Sequence, residues 1–151
     1  MKCKIYLMAR YSRHPEMQEV AHRFQRMGHA ITSRWIWGEH QASDAAIGTG
    51  TLGDFERRLA QEDIADLSEA DLCISFSDPL GTPMRGGKHV ELGMAIAWGK
   101  RIINVGNREH VFHALPQIMH VADHEKLYTM MGEEGVGHPV VVRGGFPHHG
   151  K

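Results

Sequence analysis

The sequence predicts an α/β, doubly wound, Rossmann- or flavodoxin-like domain: a parallel sheet of about five strands with helices on both faces. Three observations carry this. Short apolar runs rich in β-branched residues alternate with longer segments of helical periodicity. The run Asp71-Leu72-Cys73-Ile74-Ser75-Phe76 is almost continuously apolar, as a parallel strand covered on both faces must be. A chain of 151 residues suits one domain with a sizeable core. Residues 1–131 form that domain, and residues 132–151, with Gly144, Gly145 and Pro147, form a loosely ordered tail in which Val140-Val141-Val142 is the one pairing candidate.

The elements follow in order. Lys4 to Ala9 reads as the first strand, and Pro15 suits the first turn of a helix whose stripe Met17, Val20, Ala21, Phe24, Met27 ends at Gly28. Ala30 to Trp37 reads as a second strand placing Trp35 and Trp37 on one face, either in the core or roofing a ligand pocket. Glu39 to Gly53 has no periodicity, and a loop of that length suits a lid or binding loop. Asp54 to Glu69 is the second helix, with Phe55, Leu59, Ile64 and Leu67 as inner positions. Asp71 to Phe76 is the third strand and Ser77 to Arg85 a loop. The next helix presents Val90, Met94 and Ala97 on one apolar face and ends at Gly99-Lys100. Arg101 to Val105 and Ile118 to Val121 are strands, with a short element over Val111 to Leu115 between them, and Asp123 to Met131 is the last helix.

Composition narrows the function classes. With 17 Lys+Arg against 18 Asp+Glu, the chain lacks the broad basic face that duplex nucleic acid requires. No apolar run is long enough to span a membrane, and Met1 leads directly into a strand pattern, so a soluble cytoplasmic protein is expected. The 12 histidines are scattered without HExxH or paired Cys/His spacing, and no metal is expected; a histidine-based metal hydrolase is the weakest reading. Cys3 and Cys73 fall in buried strands as small core residues. There is neither a GxGxxG fingerprint after the first strand nor a Walker loop, so no nucleotide cofactor is expected.

Chemistry concentrates at the carboxyl ends of the strands, where ligands bind in such sheets. Gly86 and Gly87 open a helix that carries Glu91 in its first turn, where free N–H groups and the helix dipole favour an ionised carboxylate. That carboxylate is either a nucleophile or an ordinary first-turn charge. Arg10, Ser12 and Arg13, beside the start of the first helix, are able to hold a phosphate or to be ordinary loop residues. Asp63 lies on the route toward the strand ends, where a carboxylate is desolvated.

The pieces Lys4-Ile5-Tyr6-Leu7, Glu62-Asp63-Ile64, Ala70-Asp71-Leu72, and Gly87-Lys88-His89-Val90-Glu91-Leu92-Gly93 followed by Ala95-Ile96-Ala97-Trp98-Gly99-Lys100 resemble, in order and spacing, the nucleoside 2-deoxyribosyltransferase family and its nucleotide N-glycosidase relatives. The resemblance spans roughly Lys4 to Met131. It implies that Glu91 attacks C1′ of a 2′-deoxyribosyl group, that Tyr6 orients the carboxylate, and that Asp63 helps protonate the leaving base. A second base or water then resolves the glycosyl-enzyme, giving transfer or hydrolysis. Six residues before the nucleophile, where the family has a small or acidic side chain against the 5′ end of the sugar, this chain has Arg85, which suits a 5′-phosphate. The resemblance also implies a homo-oligomer, a dimer or larger, in which a neighbour completes the site; Asn107, His110 and His113 lie in the corresponding region. Two alternatives share the fold: a deoxynucleotide N-hydrolase without transferase activity, and a non-catalytic nucleotide sensor.

Overall fold

The computed structural model describes residues 2–38, 53–83 and 86–132. Five parallel strands, β1 (Lys4–Met8), β2 (Ala30–Ile31), β3 (Leu72–Phe76), β4 (Arg101–Val105) and β5 (Ile118–Val121), lie in the order β2-β1-β3-β4-β5. Four helices accompany them: α1 (His14–Arg26), α2 (Asp54–Glu69), α3 (Gly87–Ala97) and α4 (His124–Met130). This is the doubly wound architecture, and its winding reverses between β1 and β3. Register pairs Tyr6 with Cys73 and Met8 with Ser75 across that switch point.

Each strand is short because each is a short apolar run, and β3 is buried at every position. Helix α1 buries Met17, Val20, Ala21 and Phe24. It packs beside α4, where the Phe24 and Tyr128 rings meet edge to face at 5.6 Å and the Arg23 guanidinium lies 4.0 Å over Tyr128. Helices α2 and α3 pack on each other and both touch β1; the right-handed crossover rule puts them on the face of the sheet opposite α1. Cys3 and Cys73 are both buried free thiols.

Three expectations are corrected. The second strand does not run to Trp37: β2 stops at Ile31, and Arg34–Trp37 is a 3-10 turn. Side chains take over from the ladder there. The Leu7 N–H donates to Ser33 Oγ at 3.2 Å, the Leu7 carbonyl accepts Trp35 Nε1–H at 2.8 Å, and Arg34 is clamped to Asp66 of α2 through its backbone N–H (3.0 Å) and Nε (2.9 Å). Trp35 is consequently buried while Trp37 is 45% exposed, so the two do not share a face.

The apolar stripe expected on α2 faces inward only in part, and that expected on α3 is not its inner face. Phe55 and Ile64 are exposed while Leu59 and Leu67 are buried, and α3 turns Lys88, Leu92 and Ala95 inward, leaving Val90 63% exposed. Finally, Glu91 is the fifth residue of α3 and so lies beyond its first turn. The strand proposed at 140–142 and most of the 39–53 loop lie outside the described residues.

The side-chain replacement of the β2 ladder predicts a specific sensitivity. Ser33→Ala and Trp35→Phe each strand a buried Leu7 backbone group, and each should lower unfolding free energy in urea by about 1–3 kcal/mol.

Candidate active site

The candidate site lies between β1, α3 and α2, where Tyr6, Glu91 and Asp63 act on one another. Gly86 makes its entrance with φ +92, a left-handed conformation that suits glycine, and α3 starts at once without a side-chain cap. Among the described residues, no atom lies within 4 Å of where a Cβ would stand on Gly86 or Gly87.

Tyr6, Glu91 and Asp63 converge from β1, α3 and α2. Tyr6 is fully buried, and its phenol pKa is raised well above its ordinary value by burial first, then by the charges of Glu91 and Asp63. Its Oη has no hydrogen-bond partner of ordinary geometry, although it lies near enough to Glu91 for the two to act on each other. Burial likewise pushes the Glu91 carboxyl up to about 8; Asp63 adds to the rise, and Tyr6 opposes it. The expectation that the helix dipole holds Glu91 ionised is therefore overturned. Dipole stabilisation fades beyond the first turn, and desolvation beside a second carboxylate outweighs it.

The other residues singled out from the sequence divide. Arg13 is already engaged: its guanidinium binds Glu16 at 2.7 Å and 3.0 Å, Asp78 at 3.2 Å and the Ser77 carbonyl at 2.9 Å. Arg10 is half-buried just beyond β1, without an ion-pair partner among the described residues, and Ser12 is exposed beside it. Trp35 lies on the β2 side, bonded to Leu7. Asn107 is exposed and donates to the Asp78 carbonyl at 3.3 Å. His110 is half-buried, with Nε2 3.0 Å from His89 Nδ1 and its ring stacked on His113 at 4.2 Å. His113 is fully buried and accepts the Glu109 N–H through Nδ1 at 2.8 Å, which leaves it no reach toward a neighbouring copy. Burial and His110 push it down to about 4. Arg85 lies outside the described residues. Among the described residues no three His, Cys, Asp or Glu side chains gather as a metal site, and no helix is long and apolar enough to cross a membrane.

One feature escaped the sequence. Lys88, at the start of α3, is buried, and its Nζ donates to Glu109 (2.8 Å and 3.0 Å), the Phe76 carbonyl (3.1 Å) and Asp78 (3.2 Å). A lysine in a glycine-opened helix normally reads as a solvated charge, and no local signal marks it otherwise.

The raised Glu91 carboxyl has a consequence for stability. Between the ordinary value of 4.5 and about 8, the folded chain keeps a proton that the unfolded chain has released, so stability falls as pH rises across that window. Glu91→Gln should remove this fall; denaturant midpoints of parent and variant should diverge progressively between those pH values, the variant gaining.

The fold is shared with two solved enzymes. CMP N-glycosidase BcmB from Clostridium botulinum superposes with a TM-score of 0.54 at 20% identity, over 83% of this chain and 93% of that one. A 2-deoxyribosyltransferase from Bacillus psychrosaccharolyticus superposes with a TM-score of 0.58 at 16% identity, over 80% and 86%. No family model matches the sequence, and no curated protein matches it. The chain thus has the α/β fold of an N-glycosidase and a deoxyribosyltransferase, the two kinds of protein its motifs resemble.

Proposed function

We propose that this chain is a cytoplasmic enzyme that cleaves the N-glycosidic bond of a 2′-deoxyribonucleoside or its 5′-monophosphate. The observation that carries the reading is the convergence of Glu91, Asp63 and Tyr6 at the switch point of the sheet, with a carboxyl shifted by burial and by a second acid. Strongly shifted groups with a named partner in a cleft are the mark of a working site.

In this reading the proton that Glu91 holds in the free protein passes to Asp63 as substrate enters. A Glu91 oxygen then bonds to C1′ as the C1′–N bond breaks, the electron pair leaves with the base, and Asp63 protonates that nitrogen. Tyr6 orients the ionised carboxylate. A second base or water attacks C1′ from the vacated face, Glu91 leaves, and the configuration is retained. No cofactor takes part.

The monophosphate is the favoured form of the substrate. The uncapped N-terminus of α3, opened by Gly86 and Gly87, suits an anion, and Arg10 and Arg85 supply the cations. Arg13 and Ser12 then frame the loop, with Arg13 acting through its hold on Asp78. A second copy of the chain is proposed to cover the outward apolar side chains of α2 and α3, among them Phe55, Val90 and Trp98, and to bring Asn107 and His110 toward the neighbouring cleft.

Deoxynucleosides and their monophosphates, incubated with and without a second base and resolved by chromatography, test the reading. Base release is expected, highest with a monophosphate, and Glu91→Ala should lose it by at least about 1,000-fold. No release from any substrate, or an unaffected Glu91→Ala, overturns it. Because kcat/KM reports the free enzyme, it should fall as pH rises through about 8, where the carboxyl pair loses the proton that Asp63 delivers to the leaving base.

A further inference from the structure

Lys88 stands where physics disfavours a lysine. It is the second residue of α3, at the positive end of the helix dipole, and only 6% of its surface is exposed. A buried ammonium persists only when its charge and its donors are matched, and here the matching groups come from different parts of the chain. The Phe76 carbonyl ends β3, Asp78 follows in the next loop, and Glu109 follows β4. Asp78 is itself gripped by Arg13 at 3.2 Å, Arg13 by Glu16 at 2.7 Å, and Glu16 by His124 Nε2 at 2.7 Å. The knot therefore reaches from α3, through the carboxyl end of the sheet, to α1 and α4 on the far face.

The start of α3 has no side-chain cap. Lys88 supplies the tie instead, one helical turn before Glu91 and on the inward side of the helix. We infer that Lys88 is a positioning residue for Glu91: by fixing the seat and rotation of the first turn of α3, it sets where the Glu91 carboxylate stands against Tyr6 and Asp63. The catalytic consequence rests on the function proposed above; the placement of the carboxylate does not.

The same helix offers an internal comparison. Beyond its other end, Lys100 Nζ donates to the carbonyls of Ser68 (2.6 Å) and Ala70 (2.8 Å), tying that end to the close of α2. A role confined to stability is open to both lysines. A role in placing Glu91 belongs to Lys88 alone.

The test compares Lys88→Met, Lys88→Arg and Lys100→Met in the full chain. The Glu91 carboxyl is titrated by 13C NMR and assigned with Glu91→Gln, and base release from a deoxynucleoside monophosphate is followed alongside. Lys88→Met should move the Glu91 midpoint from about 8 by about one pH unit and lower kcat roughly 100-fold while changing KM by no more than about 3-fold. Lys88→Arg should restore most of both, and Lys100→Met should leave both unchanged even where it lowers Tm. If Lys88→Met fails to fold, Lys88→Met/Glu109→Gln, which removes the stranded charge, carries the same expectations. A Glu91 midpoint unmoved in the folded Lys88 variant overturns the inference. If the parent releases no base from any substrate, the proposed function falls, and the NMR titration still decides the positioning role.

Discussion

The interaction on which the cleft depends is the buried ammonium of Lys88. Two forces oppose it: the helix dipole, worth about 0.3–1 kcal/mol in a first turn, and the loss of hydration, several kcal/mol for an ion taken out of water. Contacts to Asp78, Glu109 and the Phe76 carbonyl offset both, and they do so only if β3, β4 and α3 are in register at their ends. The charge thus converts the general layering of a doubly wound sheet into one definite geometry at its carboxyl edge. A hydrophobic residue of similar size packs comfortably in many seats; an ammonium between two carboxylates has few.

That geometry gives two acids on neighbouring helices unlike surroundings. Glu91 faces the sheet over Tyr6, with Asp63 as an added charge and no cation among the causes of its shift. Asp66, on the same helix as Asp63, is held instead by Arg34. Among the described residues, Lys88 and Arg13 are committed to Asp78 and Arg34 to Asp66; Arg10 has no ion-pair partner among them. The result is a site with a surplus of acid and a proton to hold, which is the arrangement that general acid catalysis at a leaving nitrogen base requires.

Much of the fold was legible because it follows local rules. The apolar runs at Lys4–Met8, Leu72–Phe76, Arg101–Val105 and Ile118–Val121 became strands, and Asp54–Glu69 became a helix over the expected range. Short motifs, whose order is more informative than any one of them, single out Glu91, Asp63 and Tyr6, three residues that the fold brings together. What could not be read depends on distant partners. The second strand ends early because Ser33 and Trp35 bond Leu7, about 26 residues away in the chain. The stripe Val90, Met94, Ala97 has helical spacing, but a second inward stripe through Leu92 and Ala95 has it too, and periodicity does not choose between them. The burial of Lys88 needs Asp78 and Glu109, and the raised pKa of Glu91 needs the whole cover of α2 and α3; neither is a property of the local sequence.

The central claim is that Glu91 becomes covalently attached to the sugar. Intact-mass spectrometry of protein acid-quenched during turnover of a deoxynucleoside monophosphate, followed by peptide mapping, addresses it directly. The account predicts an added mass equal to the deoxyribosyl 5-phosphate group on the peptide containing Glu91, absent from Glu91→Gln and discharged by an added base. Base release by the parent with no adduct at any quench time, and with Glu91→Gln still active, would contradict it.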